Sequence, residues 1–108
     1  MEYINNLSDI EVCVQFKDSA GVNMAPPAYN FDVEFFTRPE YKVVKASQVA
    51  GALTNCKIQN GKLYCFFNAP ALGKGQLYQR TTLYLPNNDF SDANHKQVET
   101  IALDAQIV

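Results

Sequence analysis

The sequence has no tryptophan, a single histidine, three cysteines and no run of charges of one sign. Each shortage closes off a class of chemistry. An odd number of cysteines does not imply a disulfide framework. No Cys-x-x-Cys pair is present, so Cys13, Cys56, Cys65 and His95 make a poor zinc set. The basic residues are scattered from Lys17 to Lys96, which leaves no electrostatic footprint for nucleic acid or an anionic membrane. No apolar stretch nears the roughly 18 residues of a membrane span. Met1 to Asn6 lack the basic and apolar regions of a secretory signal. The chain is therefore expected to act inside the cell that makes it or to leave by a route needing no signal peptide.

What is present is apolar material in the pattern of strands. At 108 residues and a net charge of −2, with 47% hydrophobic and 12% aromatic residues, residues 1–108 make one folded domain. The period is two. Ile10, Val12, Val14 and Phe16 alternate with Glu11, Cys13, Gln15 and Lys17, the mark of a half-buried strand. Asp18-Ser19-Ala20-Gly21 breaks it with turn chemistry, and Pro26-Pro27 marks a loop. Tyr29, Phe31, Val33 and Phe35 form a second apolar parity, which Arg38-Pro39-Glu40 closes, and Tyr41 to Ser47 a shorter β-prone run. Gln76 to Leu85 and Val98 to Val108 are the longest candidates, the latter with Ile101, Leu103, Ala105 and Ile107 on its core face.

Asn60-Gly61 between two β-prone runs is the clearest local signal, because a type I′ hairpin turn needs positive φ at both central residues. Counting outward sets Gln59 against Lys62, Ile58 against Leu63, and Cys56 against Cys65. The last is a non-hydrogen-bonded pair, with Cα atoms roughly 4.5 Å apart, inside the range a disulfide tolerates. Cys56 and Cys65 are thus a possible thiol pair, though two buried thiols packing as small hydrophobes is the plainer reading. About seven short strands with turn signals roughly every 8–12 residues describe an all-β fold, an antiparallel immunoglobulin-like β-sandwich.

Little reads as catalysis. His95 sits in a polar loop with no nucleophile signature nearby. Asp89, Asp92 and Asn94 lack calcium-loop spacing and read as turn residues. Gly73-Lys74-Gly75 lacks the spacing and helix of a phosphate loop. No enzyme, cofactor or metal site is expected. The feature that departs from a plain domain is a second parity rich in aromatics: Phe36, Tyr64, Phe66, Tyr78 and Tyr84 fall opposite the core face. Aromatics are enriched at interface cores, so these five are the expected interface residues.

The order of motifs adds a resemblance. Asp18-Ser19-Ala20-Gly21, Phe31-Asp32-Val33-Glu34-Phe35, Tyr41 with Ala46-Ser47, Gly51, Asn55-Cys56, Asn60-Gly61, Leu72-Gly73-Lys74-Gly75-Gln76-Leu77, Leu85-Pro86 and Asp89-Phe90-Ser91-Asp92 follow one another across about Ile10 to Thr100. This series resembles small immunoglobulin-like virion-associated proteins of Bacteroidetes phages and prophages, including the crAss-like group. The resemblance implies a non-catalytic capsid-decoration or head-fibre attachment protein in the virion, assembled in the bacterial cytoplasm. Its partners would be other virion proteins and a second copy, a homodimer favoured. A baseplate or tail adaptor of the same phages is the alternative, and a carbohydrate-binding β-sandwich a third reading.

Overall fold

The computed structural model describes residues 1–18, 20–39 and 42–108. Ser19, Glu40 and Tyr41, which enter the expected turn after the first strand, the segment closing at Glu40 and the run from Tyr41, lie outside the described residues. The described residues form a β-sandwich of a larger and a smaller sheet, with a short two-stranded ribbon beside them. Its strand segments are β1 (Glu2–Ile4), β2 (Asp9–Val14), β3 (Phe16–Lys17), β4 (Asn23–Met24), β5 (Phe31–Pro39), β6 (Val43–Val49), β7 (Ala52–Thr54), β8 (Cys56–Gln59), β9 (Lys62–Asn68), β10 (Gly75–Pro86) and β11 (Asn94–Ile107). The seven longest of these, β2, β5, β6, β8, β9, β10 and β11, correspond to the expected seven. The other four are short additions of two or three residues.

The large sheet has the order β1-β11-β10-β5-β6-β7, the small one β2-β9-β8, and β3 pairs with β4. Every pairing is antiparallel except β1 alongside β11. The inner faces follow the alternation read from sequence. Ile10, Val14, Leu63 and Cys65 of the small sheet meet Phe31, Val33, Phe35, Ala46 and Leu77 of the large one. Phe35 stacks on Phe67 across the two sheets at 4.9 Å, and Phe16 tilts onto Phe31 at 5.4 Å. Burying one such side chain stabilises by about 1.5–3 kcal/mol. Gln48, a buried amide, hydrogen-bonds the carbonyls of Pro27 and Tyr29 at 3.0 and 2.9 Å, which ties the proline loop to the end of the core.

Turn geometry explains the register. Asn60 and Gly61 have φ of 54° and 72°, and Gln59 opposes Lys62. A second hairpin of the same kind joins β6 to β7 through Ala50 and Gly51, at 51° and 83°. The side-chain oxygen of Asn30 accepts the Ala50 N–H at 2.9 Å. At Gly75, where φ is 136°, a Cβ would collide with the Arg38 carbonyl, so only glycine lets β10 start against β5.

Candidate binding surfaces

The five expected interface aromatics do not form one surface. Register puts Phe36, Tyr78 and Tyr84 on the outer face of the large sheet, while Tyr64 and Phe66 lie on the outer face of the small sheet, on the opposite side of the molecule. The parity is as expected. The single aromatic face is corrected, because alternation assigns each residue a side of its own sheet and says nothing of which sheet.

On the large sheet, β6, β5, β10 and β11 align three cross-strand rows: Val43, Phe36, Tyr78, Ala102; then Lys45, Glu34, Arg80, Thr100; then Ser47, Asp32, Thr82, Val98. Phe36 stacks on Tyr78 at 5.5 Å with planes 11° apart. The Arg38 guanidinium lies 4.7 Å over the Tyr78 ring and that of Arg80 5.2 Å over Phe36. This alternating cation–aromatic layer leaves Phe36 only 1% exposed, although it faces away from the core. Arg80 also donates to Glu34 at 3.0 Å, and Lys45 stands 3.6 Å from Asp32. The Tyr84 hydroxyl donates to Asp32 at 2.6 Å. That bond to a carboxylate, helped by burial and the charges of Asp32, Glu34 and Asp92, pushes the phenol up to about 12.

On the small sheet, Phe66 is 43% exposed and Tyr64 half-buried beneath the Lys57 ammonium at 5.8 Å. Phe66 borders a shallow cleft of about 460 Å³ with Asp9, Glu11, Asn55, Phe67 and Asn68.

Cys56 opposes Cys65 as the hairpin count requires. The Phe66 N–H donates to the Asn55 carbonyl at 3.0 Å, so the flanking Cys56–Cys65 pair is of the non-hydrogen-bonded kind. Both thiols are free and buried. Burial, reinforced by the charges of Cys56 and Cys13, pushes Cys65 up to about 12, and burial also raises Cys56. Such thiols carry little thiolate at neutral pH and are poor nucleophiles.

His95, expected in a polar loop, instead sits in β11 opposite Leu85, and the turn before it is built from local bonds. Asp92 accepts the Asn94 N–H at 3.1 Å, which lowers its carboxyl below the ordinary value, and His95 stacks on Phe90 at 5.3 Å. Among the described residues no group of three or more His, Cys, Asp or Glu is placed to hold a metal.

Two further clefts lie along the other side of the molecule. Between β2 and the end of the large sheet runs a cleft of about 650 Å³, its walls including Ile4, Val12, Leu77 and Leu103 and its rim Glu2, Asp9, Glu11 and Asp104. A second cleft of about 380 Å³ continues the same seam past Val14, Phe16, Gln79, Val98 and Ile101. Ile101 was expected on the core face with Leu103, Ala105 and Ile107. It does share their parity, yet it is 41% exposed, because the small sheet ends before covering it. Val98, on the other parity, is 59% exposed. Alternation carried no signal for this seam, since edge status depends on sheet order. Compared with known proteins, the chain matches no family model, no curated protein and no solved structure.

Proposed function

We propose that this chain is a structural virion protein, an immunoglobulin-like module that decorates a capsid or anchors a head fibre and works by binding other virion proteins, without catalysis. The observation that carries the binding part is the open seam, where the edge strand β2 of the small sheet faces the uncovered length of β11 across two clefts. An uncovered edge is a template for strand addition. The motif order from Asp18-Ser19-Ala20-Gly21 to Asp89-Phe90-Ser91-Asp92 supports the virion setting, and a head position is preferred to a baseplate adaptor only on that ground. The test is gradient purification of particles from a lysed culture encoding the chain, with immunogold labelling. The protein should sediment with intact particles at a fixed position on the head. Its confinement to the particle-free fraction would refute the assignment.

A carbohydrate-binding role is the second reading, favoured by one observation: Phe66 stands exposed beside Asp9, Glu11, Asn55 and Asn68. An aromatic platform ringed by carboxylates and amides suits a sugar ring. Glycan-array binding abolished by Phe66→Ala would support it, and a blank array would remove it.

A further inference from the structure

The β10–β11 hairpin runs far past the strand that covers its end. β1 pairs only with Ala105, Gln106 and Ile107, so among the described residues β11 has no strand on that side from Asn94 to Asp104. The direction of its free backbone groups follows from two bonds. The Asn87 N–H donates to the Ala93 carbonyl at 2.9 Å, and the Tyr84 N–H donates away from β11 to the Asn30 carbonyl at 3.0 Å. In an antiparallel ladder these alternate. His95, Gln97, Glu99 and Ile101 therefore exchange bonds with β10. Lys96, Val98, Thr100 and Ala102 aim their N–H and C=O groups outward, as does the Asn94 carbonyl, while the Asn94 N–H is taken by Asp92.

We infer that two copies of this chain join by antiparallel pairing of residues 94–102 of β11, with Val98 on the two-fold axis. The inference rests on the reading of the chain as a binding module and names the edge and the register. Natural edge strands are blunted by proline, bulges or inward charges. This stretch has no proline, pairs with β10 without a bulge from Tyr78 to Pro86, and exposes Val98; it does carry one inward-parity charge, Glu99, which a pairing must match with a donor. Only even-numbered residues can face even-numbered ones, which limits the registers. Centring the pair on Glu99 sets two carboxylates face to face, at the closer pair spacing. Centring it on Thr100 carries the partner's His95 onto the position that Glu2 occupies beside Ala105. Centring it on Val98 avoids both.

In that register Val98 meets Val98, Lys96 meets Thr100, and Gln97 meets Glu99, an amide able to donate to a carboxylate. His95 becomes the diagonal neighbour of Glu99, roughly 7–8 Å away, with opposite charge when protonated. No like charges face each other in this register, and Gln97 offers a donor to Glu99. The product is one sheet running continuously through both subunits.

Cysteine cross-linking of the whole chain reads the register. In a Cys13→Ala background, Val98→Cys places two thiols on a hydrogen-bonded pair, with Cα atoms roughly 5.5 Å apart, a disulfide distance. It should form a covalent dimer under mild oxidation. Thr100→Cys, displaced from its own copy by four residues or roughly 13 Å, should not. A stronger cross-link from Thr100→Cys than from Val98→Cys overturns the inference. Light scattering should find the unmodified chain dimeric, and Val98→Pro, which removes an outward N–H that an edge strand can spare, monomeric with an unchanged far-ultraviolet spectrum. Val98→Lys gives the same readout if the proline variant does not fold. A wild-type monomer at high micromolar concentration overturns the inference, while particle association would survive that result.

Discussion

The two sides of the sandwich are built on opposite plans. On one side the chain seals the sheets itself. It leaves the large sheet at the end of β7 and enters the small sheet at β8 with only Asn55 between them, held at φ 55°. The Asn55 amide donates to the Lys45 carbonyl at 3.0 Å and its carbonyl accepts the Phe66 N–H. On the other side the chain crosses from β1, which pairs with the end of β11, through residues 5–8 to β2, and beyond that crossing β11 runs from Asn94 to Asp104 beside a cleft with no strand on its outer side among the described residues. The closed side owes its strength to local turn chemistry and covalent continuity. The open side leaves backbone groups and apolar side chains for something outside the subunit.

That contrast predicts a steep gradient in the cost of truncation. Phe35→Ala, beneath the closed side and stacked on Phe67, should lose about 3–5 kcal/mol in urea unfolding. Ile101→Ala on the open side should lose less than about 1 kcal/mol. Equal losses would mean that the seam is packed after all. The corner should rank next. Asn55→Ala places at φ 55° a residue that tolerates the left-handed conformation less well than asparagine and deletes the bond to Lys45, which should cost about 2 kcal/mol. Hydrogen exchange should quicken in β7 and β8 while β10 and β11 keep their protection.

The same contrast divides what was legible in the sequence. The closed side was half visible. Asn60-Gly61 announced its hairpin because that turn accepts few other residues, and register, the Cys56–Cys65 opposition and both faces of β9 followed by counting. β7 was not visible, because Ala50-Gly51 is an unusual pair for a type I′ turn and is held by Asn30, twenty residues earlier. The open side was not visible at all. Alternation reports which parity of a strand meets a core, so Ile101 was grouped with Leu103, and nothing local records that β2 and β3 stop short of it. The aromatic parity failed as a single surface for the same reason. Phe36 showed its side of the sheet but not the Arg38 and Arg80 that cover it. Pairwise contacts between distant strands set these outcomes, and periodicity does not encode them.

The unusual turn offers a way to strengthen the closed side. Asparagine tolerates positive φ better than alanine does. Ala50→Asn should therefore stabilise the domain by about 0.5–1 kcal/mol, read as a rise in the urea midpoint with an unchanged slope. Asn30→Ala, which removes the acceptor for the Ala50 N–H, should lower the midpoint. A neutral Ala50→Asn would show that the Asn30 bond already removes the strain.

The smallest effect concerns the boundary between the two halves, where β10 carries Tyr84. Its hydroxyl leans toward the closed half, onto Asp32 of β5, while Lys96 of β11 stays 6.0 Å from its ring. The phenol's ordinary value is near 10 and the fold raises it to about 12. A raised pKa means that the protonated form is the one the fold favours. The contribution is fully present below about pH 10 and is lost as pH climbs through about 12. In a spectrophotometric alkaline titration, the phenolate step near pH 12 should disappear in Tyr84→Phe. In Asp32→Asn it should move toward the ordinary value, because the accepting carboxylate and its charge are gone. If Lys96→Ala moved the step as far as Asp32→Asn does, Tyr84 would belong equally to β11, and the division between a self-sealed half and an edge left free would have to be drawn one strand further out.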